Sequence, residues 1–387
     1  LRQEIEPVIS ADFMRFLFQW QRATPEQRGE GQDALAAVID QLAGFEAPAV
    51  AWEGDVLPAR VADYDPAALD ALCLAGRVKW ARLAPPKPAN GQSGIGPVRS
   101  TPIALINRKT FAIWHSAARR EKAALEIGSS HARAVAEYLQ QHGASFFDEL
   151  VEHTGLLRTY IEEALGELVA AGLVSADGFS GLRALLIPSS KRKPFAANKR
   201  RHRLALFGIE DAGRWAWIGH SPKTEQHNDD VEHIARTLLR RYGVVFRKLL
   251  EREADSLPPW RDLLWIYRAL EARGEIRGGR FVAGFSGEQY ALPEAVGALR
   301  EVRRKPKTGG WITLCGADPL NLSGIITSGA KIAALASNRI LYRDGIAVAA
   351  YTGGEVEFYV DLDPAERRAA QDTLLRRIST PLLKLYL

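Results

Sequence analysis

Leu69-Asp-Ala-Leu72-Cys-Leu-Ala-Gly76-Arg-Val78 decides the fold, because the same ten-residue pattern occurs twice more. It returns as Leu165-Gly-Glu-Leu168-Val-Ala-Ala-Gly172-Leu-Val174 and as Tyr267-Arg-Ala-Leu270-Glu-Ala-Arg-Gly274-Glu-Ile276. In each copy apolar residues at helical spacing end at a glycine, and a β-branched residue follows two places later. Glycine enters the left-handed C-terminal cap at little steric cost, so the pattern marks a helix that stops and a strand that starts. The three glycines lie roughly a hundred residues apart, too far for a solenoid, whose repeats run to about 50 residues. Three separate small modules of one type are expected.

The middle copy is the clearest. Ala132, Val135, Ala136 and Leu139 form the apolar stripe of a first helix that stops at Gly143. Ser145 with Asp148 resembles a capping box and opens a second helix through Phe147, Leu150 and Val151. Thr154-Gly155 makes a turn, and Leu157, Ile161, Leu165 and Leu168 carry a third helix. Leu173-Val174 then starts a strand, Asp177-Gly178 suits a hairpin turn, and Leu182 to Ile187 is read as the returning strand. A helix, a helix–turn–helix and a β-hairpin make a winged helix. In the first copy a helix spans about Gln32 to Gln41, a second runs near Trp52, and Asp65-Pro66 opens the third. In the third copy a helix runs from Val231 to Tyr242, Pro258-Pro259 precedes the last helix, and Gly278-Gly279 is taken as the wing turn.

The fold class is therefore α+β, tandem winged-helix modules followed by a small antiparallel β-barrel. The modules are placed at 1–85, 129–188 and 229–304. A linker and connecting segment fills 86–128, with the Pro-, Gly- and Ser-rich run from Pro85 to Pro102, and a basic linker and strand segment fills 189–228. From 305 to 387 short strands are expected at Trp311–Leu314, Ile325-Ile326, Ile340–Tyr342, Ile346–Tyr351 and Val356–Val360. Asp344-Gly345 and Gly353-Gly354 serve as hairpin turns, and a closing helix runs from Pro364 to about Arg377.

The apolar fraction of 47% and charged fraction of 25% are those of an ordinary globular chain. No apolar run is long enough for a membrane span, and no signal peptide opens the chain, so no membrane partner is expected. A leucine start and a single methionine, Met14, point to a piece of a longer protein. Cys73 and Cys315 fall in different modules, which fits a reducing cytoplasm better than a disulfide scaffold. The net charge of +5 permits an anionic partner without demanding one.

A winged helix reads DNA through its third helix. In the middle copy that helix offers Glu162, Glu163 and Glu167, the wrong sign for phosphate, and in the first it offers Asp70 with no cation before Arg77. Both are read as packing modules. In the third copy Arg261, Arg268 and Arg273 alternate with Trp260, Trp265 and Tyr267, and Arg277 and Arg280 flank the wing. Arginine neutralises phosphate and stacks on bases, and aromatic rings make platforms for single strands. The alternative puts Leu264 and Trp265 in the core with the arginines solvated. The second candidate is the run Lys191, Arg192, Lys193, Lys199, Arg200, Arg201 and Arg203, which contains no acid and is either a solvated loop or a phosphate contact. No phosphate loop of the form G-x-x-x-x-G-K-[ST], no HExxH and no paired-cysteine metal site is present. His220, His227, Asp229, Asp230 and His233 match no familiar metal spacing, and a helix N-terminus explains the acids. Asp318 before Pro319 is read as a turn residue.

Several strings resemble the large helicase-related (Lhr) proteins: Phe13-Met-Arg-Phe-Leu-Phe-Gln-Trp-Gln21, Leu57-Pro-Ala-Arg-Val61, Tyr64-Asp-Pro66, Thr101-Pro-Ile-Ala-Leu-Ile-Asn-Arg108 and Gly213-Arg-Trp215. The most specific is Phe281-Val-Ala-Gly-Phe-Ser-Gly-Glu-Gln-Tyr-Ala-Leu-Pro-Glu294; Asp318-Pro-Leu-Asn-Leu322 and Asn338-Arg-Ile-Leu-Tyr-Arg-Asp-Gly345 complete the likeness. The resemblance implies the C-terminal part of a bacterial superfamily 2 helicase that moves 3′–5′ on DNA and is linked to DNA repair. ATP and Mg²⁺ then belong to the parent helicase and no cofactor to this segment. The implied partners are single-stranded or forked DNA and further copies of the chain in a homo-oligomer such as a tetramer. Leu42-Ala-Gly-Phe-Glu46-Ala-Pro48, with Arg60 and Tyr64-Asp-Pro66, is also similar to the opening of winged-helix DNA glycosylases. That family places a Gln-x-Gln or Gln-x-Asp pair there to position a water. Glu46 keeps a group able to act as a base, whereas Pro48 breaks the pair. Three functions are weighed: a DNA-binding and assembly segment, a uracil-type glycosylase with Glu46 as the catalytic candidate, and a structural protein-interaction hub.

Overall fold

A computed structural model describes residues 6–86, 97–119, 127–187, 209–219, 227–254 and 256–376. These fall into two compact units that do not follow chain order: one combines the described residues of 1–42, 51–63 and 225–382, the other those of 43–50 and 64–224.

In the second unit, Asp65 caps α4 (Pro66–Leu74) by accepting a hydrogen bond from the Ala67 amide at 3.0 Å, and Pro66 occupies the first turn, where it forfeits no intrahelical bond. The helix ends at Gly76 with φ +69°; the equivalent Gly172 and Gly274 stand at +71° and +76°. All three repeats therefore close through the left-handed cap their shared pattern predicts. Strand β2 (Val78–Ala81) follows, and β3 (Pro102–Asn107) inserts between β2 and the two-residue β1 (Ala47–Pro48). The wing strand β3 thus lies past the boundary at residue 85 set for the first module. Helix α5 (Phe111–Ala118) comes next.

The middle module carries α6 (Ser130–His142), β4 (Ser145–Phe146), α7 (Phe147–Thr154), α8 (Arg158–Ala170), β5 (Val174–Ala176) and β6 (Arg214–Trp217), with sheet order β4-β6-β5. Two local expectations shift. The capping carboxylate at α7 is Glu149, which accepts from the Phe146 amide at 2.7 Å, one residue later than the Ser145/Asp148 reading. The expected hairpin at Asp177-Gly178 is absent: residues Phe179–Leu186 form helix α9, and the strand that returns is β6. Phe179, Leu182 and Leu186 are all buried, and their spacing is that of one helix face rather than a pleat. Arg183 on this helix lies 2.8 Å from Asp70 of α4, and Asp70 also accepts from the Ser180 amide at 2.8 Å. A buried arginine held by a carboxylate is a tertiary contact that local pattern does not reveal.

In the first unit, α1 (Ser10–Trp20) buries Phe13, Met14, Phe16, Leu17 and Phe18. Its end ties down α10 (His227–Tyr242): Trp20 Nε1 donates to the Arg240 carbonyl at 2.8 Å and Gln21 Nε2 to the Arg241 carbonyl at 2.9 Å. Those carbonyls belong to the last turn, which has no partner inside its own helix. Helix α2 (Gly31–Gln41) also lies in this unit, as does a π-helix at Trp52–Val56 that continues the single turn α3 (Ala49–Ala51). The third module is α10, β7 (Val244–Phe246), a 3₁₀ turn at Leu249–Arg252, α11 (Trp260–Ala272), β8 (Arg277–Gly279) and β9 (Gln289–Ala291), again with the third strand central. Gly278 and Gly279 are strand residues, so the wing is the longer loop from 280 to 288.

That wing explains the most specific family string. Buried Gln289 accepts from the amides of Phe281 and Val282 at 2.8 and 2.9 Å and donates to the Val282 carbonyl at 2.9 Å. The side chain supplies the hydrogen bonds that a loop leaving the ladder lacks. Asp318, read as a turn residue, is a correction of similar kind. It does accept from the Leu320 amide at 2.9 Å, but it also binds Arg60 with two bonds of 2.7 and 2.8 Å, and both side chains are fully buried.

Helix α12 (Pro293–Arg304) leads to β10 (Trp311–Cys315), β11 (Arg339–Arg343), β12 (Ile346–Thr352) and β13 (Glu355–Phe358). Asp344 and Gly345 at φ +51° and +81°, and Gly353 and Gly354 at +61° and +95°, form the two expected tight hairpins. Among the described residues the four strands pair in the order β10-β11-β12-β13, and closure into the expected small barrel is not shown. Ile325-Ile326 lie in a turn, and α13 (Pro364–Leu375) covers Leu341, Val348 and Ala349 with Ala370 and Leu374.

Candidate nucleic-acid interface

Helix α11 faces inward through Leu263, Ile266, Tyr267 and Leu270, at i, i+3, i+4 and i+7. The outward face is set by the same period: Arg261, Trp265 and Arg268 follow one another at helical spacing, and all are exposed. Trp265 is 61% exposed, so it is not a core residue, whereas Leu264 is half-buried. Trp260 is also half-buried, its ring 6.1 Å from that of Tyr267, so it braces the helix rather than offering a free platform.

The arginines differ in what already neutralises them. Arg261 has 86% of its side chain in solvent and, among the described residues, pairs with the adjacent Asp262 at 3.2 Å. Arg268 meets both carboxylate oxygens of Glu288 on the wing, at 3.1 and 3.2 Å, which raises its proton affinity. Arg273 is bound into a network with Glu232 at 2.9 Å and Glu275 at 2.7 Å, and Arg236 reaches the same two acids. Bonds from Arg236 first and Arg273 second pull Glu232 below the usual carboxylate range, and Arg236 does the same to Glu275. Arg277 and Arg280 are exposed beside the wing and form no ion pair among the described residues. The least neutralised cations of this module are thus Arg261 on α11 and Arg277 and Arg280 at the wing, while Arg268 is held by Glu288. The wing pair entered the sequence reading only as flanking residues, because no helical period marks them.

The middle module's third helix spends its acids internally in part: Glu167 accepts from the amides of Gly128 and Ser129 at 2.8 and 3.0 Å. Lys191, Arg192, Lys193, Lys199, Arg200, Arg201 and Arg203 lie outside the described residues.

Glu46 belongs to the second unit. It precedes β1 and accepts from the Leu83 amide at 2.7 Å and the Ala84 amide at 3.4 Å. Burial pushes its carboxyl up to about 7, and these amides with Arg82 and Arg119 offset only part of that. Pro48 pairs in β1 with Pro102, so it is a strand residue. Among the described residues no group of three His, Cys, Asp or Glu side chains is placed to hold a metal, and Asp229 and Asp230 sit in the first turn of α10. No helix among them is long and apolar enough to cross a membrane.

Residues 8–106 match the third winged-helix domain of large helicase-related proteins, and residues 224–311 match the fourth. Over 84% of its length the chain is 30% identical to the "Lhr helicase/ probable uracil glycosylase" of Mycolicibacterium smegmatis. It is 27% identical, over 84% of its length, to the "Lhr helicase/uracil glycosylase" of Escherichia coli. It spans only 21% and 22% of the lengths of those two relatives.

Proposed function

The chain belongs to the large helicase-related family as a C-terminal region with α+β winged-helix domains, and from that premise we propose that it engages DNA and joins subunits within an ATP-dependent 3′–5′ DNA helicase of DNA repair. The observation that carries the DNA half is the outward face of α11, where exposed Trp265 stands between Arg261 and Arg268 at helical spacing, in the same module as the exposed wing arginines Arg277 and Arg280. An indole supplies a sequence-tolerant stacking surface, and the guanidinium groups supply phosphate contacts. Single-stranded or forked DNA suits that pairing. ATP and Mg²⁺ belong to the parent helicase, because this chain lacks a phosphate loop. We place the protein in the cytoplasm, in keeping with two buried cysteines that form no disulfide among the described residues.

Binding of labelled single-stranded and forked DNA, followed by fluorescence anisotropy, tests this reading. Arg261→Glu with Trp265→Ala should weaken affinity at least tenfold, since one stacked base is worth about 1–3 kcal/mol. Unchanged affinity would remove α11 from consideration. For self-association, Ile346, Tyr359 and Leu375 leave apolar surface exposed on the C-terminal sheet and helix. Mass measured in solution at micromolar concentration should exceed that of one chain; a monomer refutes the assembly half.

A second reading is a uracil-type DNA glycosylase. Glu46 favours it, since a carboxyl near 7 can exchange a proton at neutral pH. Excision from uracil-containing DNA that disappears in Glu46→Gln would place the chemistry there, and excision unaffected by that change would move it elsewhere.

A further inference from the structure

We propose that the second compact unit carries another DNA surface, where Arg77, Lys79, Arg108 and Lys109 gather at one end of the first module's sheet and hold a phosphodiester backbone. This rests on the reading that the chain engages DNA, but not on α11, which lies in the other unit.

The backbone brings the four cations together. Arg77 precedes β2 and Arg108 follows β3, and the Arg108 amide donates to the Arg77 carbonyl at 3.0 Å. Lys79 pairs with Ile106 in the same ladder, two positions from Arg108. Arg108 and Lys109 open a short 3₁₀ turn, capped by the Asn107 side chain accepting from the Lys109 amide at 3.1 Å. That turn delivers the chain into α5, where Phe111 lies beneath Lys79, its ring centroid 4.4 Å from Nζ. Arg108 extends over the left-handed cap of α4, one guanidinium nitrogen 3.7 Å from where a side chain on Gly76 would begin. The cations therefore come from a strand, a helical turn and a helix cap rather than converging on one point. That spread fits a polyanion and not a single small anion.

The charge of Arg108 and Lys109 is not cancelled among the described residues. Arg77, Arg108 and Lys109 are exposed, and the latter two form no ion pair among the described residues. The carboxylate acting on Lys79 is Asp177, which is engaged at 3.0 Å by Arg214. At the other end of β2, Arg82 donates to the carbonyls of Ala84 and Ala170, and Arg119 of the same unit donates to that of Gly172. Those bonds position the guanidinium groups without neutralising them, and the one acid acting on either is Glu46. Mutual repulsion is felt: burial first and Arg108 second pull the Lys79 ammonium down to about 8. Burial, then Arg119 and Lys79, hold His115 down to about 4. Like charges kept together beyond what nearby carboxylates neutralise are relieved by an incoming anion. The first module was discounted as a DNA reader because α4 exposes no cation, and this surface uses the cap of α4 and the sheet end instead.

The test is anisotropy with labelled single-stranded and forked DNA between 50 and 200 mM salt, on the whole chain. Arg108→Gln combined with Lys109→Gln should lower the slope of log affinity against log salt by about 1.5, the loss of two phosphate contacts at about 0.7–0.9 each. Arg108→Lys with Lys109→Arg should retain the wild-type slope, which separates lost charge from lost structure. An unchanged slope in the glutamine pair, while Arg261→Glu weakens binding, overturns the second surface and leaves α11 standing. Failure of the wild-type chain to bind either DNA overturns both.

Discussion

Glu46 and His115, both in the second unit, should set opposing pH dependences of its stability. Glu46 has a carboxyl raised from 4.5 to about 7, chiefly by burial. Between those values the folded protein holds a proton that the unfolded chain has released, so stability falls as pH rises through this window. At about 1.4 kcal/mol per tenfold change in proton affinity, the full effect is about 3 kcal/mol. His115, buried and with Nε2 lacking a hydrogen-bond partner among the described residues, is lowered from 6.5 to about 4, chiefly by burial. There the unfolded chain holds the extra proton, so stability is complete above 6.5 and is lost as pH falls toward 4, again by about 3 kcal/mol. The windows overlap from 4.5 to 6.5, and the slopes cancel across it. In urea unfolding followed by tryptophan fluorescence the contributions of these two groups should therefore offset each other in the wild type between pH 4.5 and 6.5, so that each shows as a difference from the wild-type curve when the other is removed. Glu46→Gln, which keeps an acceptor for the Leu83 amide, should expose the histidine: stability drops by about 2–3 kcal/mol on acidification across that window. His115→Gln should expose the carboxylate, with a drop of similar size on going from pH 4.5 to 6.5. Three parallel curves would refute the reasoning, because they would mean that neither group changes its proton affinity on folding.

Other perturbations follow from the packing. Arg60→Met leaves Asp318 buried without its cation and should cost about 3–5 kcal/mol in urea unfolding, while Arg60→Met with Asp318→Leu should recover much of that loss. Gly172→Ala should destabilise more than Gly274→Ala. Both glycines have positive φ, a strain of about 1 kcal/mol or more, but a methyl at 172 would also stand 3.0 Å from the Arg82 carbonyl oxygen while that at 274 meets open space. Equal effects would show that the Arg82 carbonyl yields freely. Gln289→Leu should remove three buried hydrogen bonds from the wing and cost about 2–4 kcal/mol, with faster amide exchange at Phe281 and Val282. Unchanged exchange there would mean that the loop is held by its backbone alone.

The sequence by itself determined whatever depends on a few neighbouring residues. Gly76, Gly172 and Gly274 end helices because only a residue without a side chain enters the left-handed cap cheaply, and that preference is readable in each ten-residue string. Asp65-Pro66, Asp344-Gly345 and Gly353-Gly354 were legible for the same reason. The outward face of α11 was half legible: helical period placed Arg261, Trp265 and Arg268 together, but period says nothing about Glu288, which arrives from the wing to neutralise one of them. The spacing of Phe179, Leu182 and Leu186 already suits a helix face, but the contact that ties this helix down, Arg183 with Asp70 more than a hundred positions away, belongs to the tertiary structure alone. The order β10-β11-β12-β13 of the last sheet also comes from the tertiary structure, because pairing depends on where strands end up and not on how each strand is patterned. The cations Arg77, Lys79, Arg108 and Lys109 form no run or period along the chain. They become one surface because β2 and β3 pair, and strand pairing is a contact between distant segments that no local window contains.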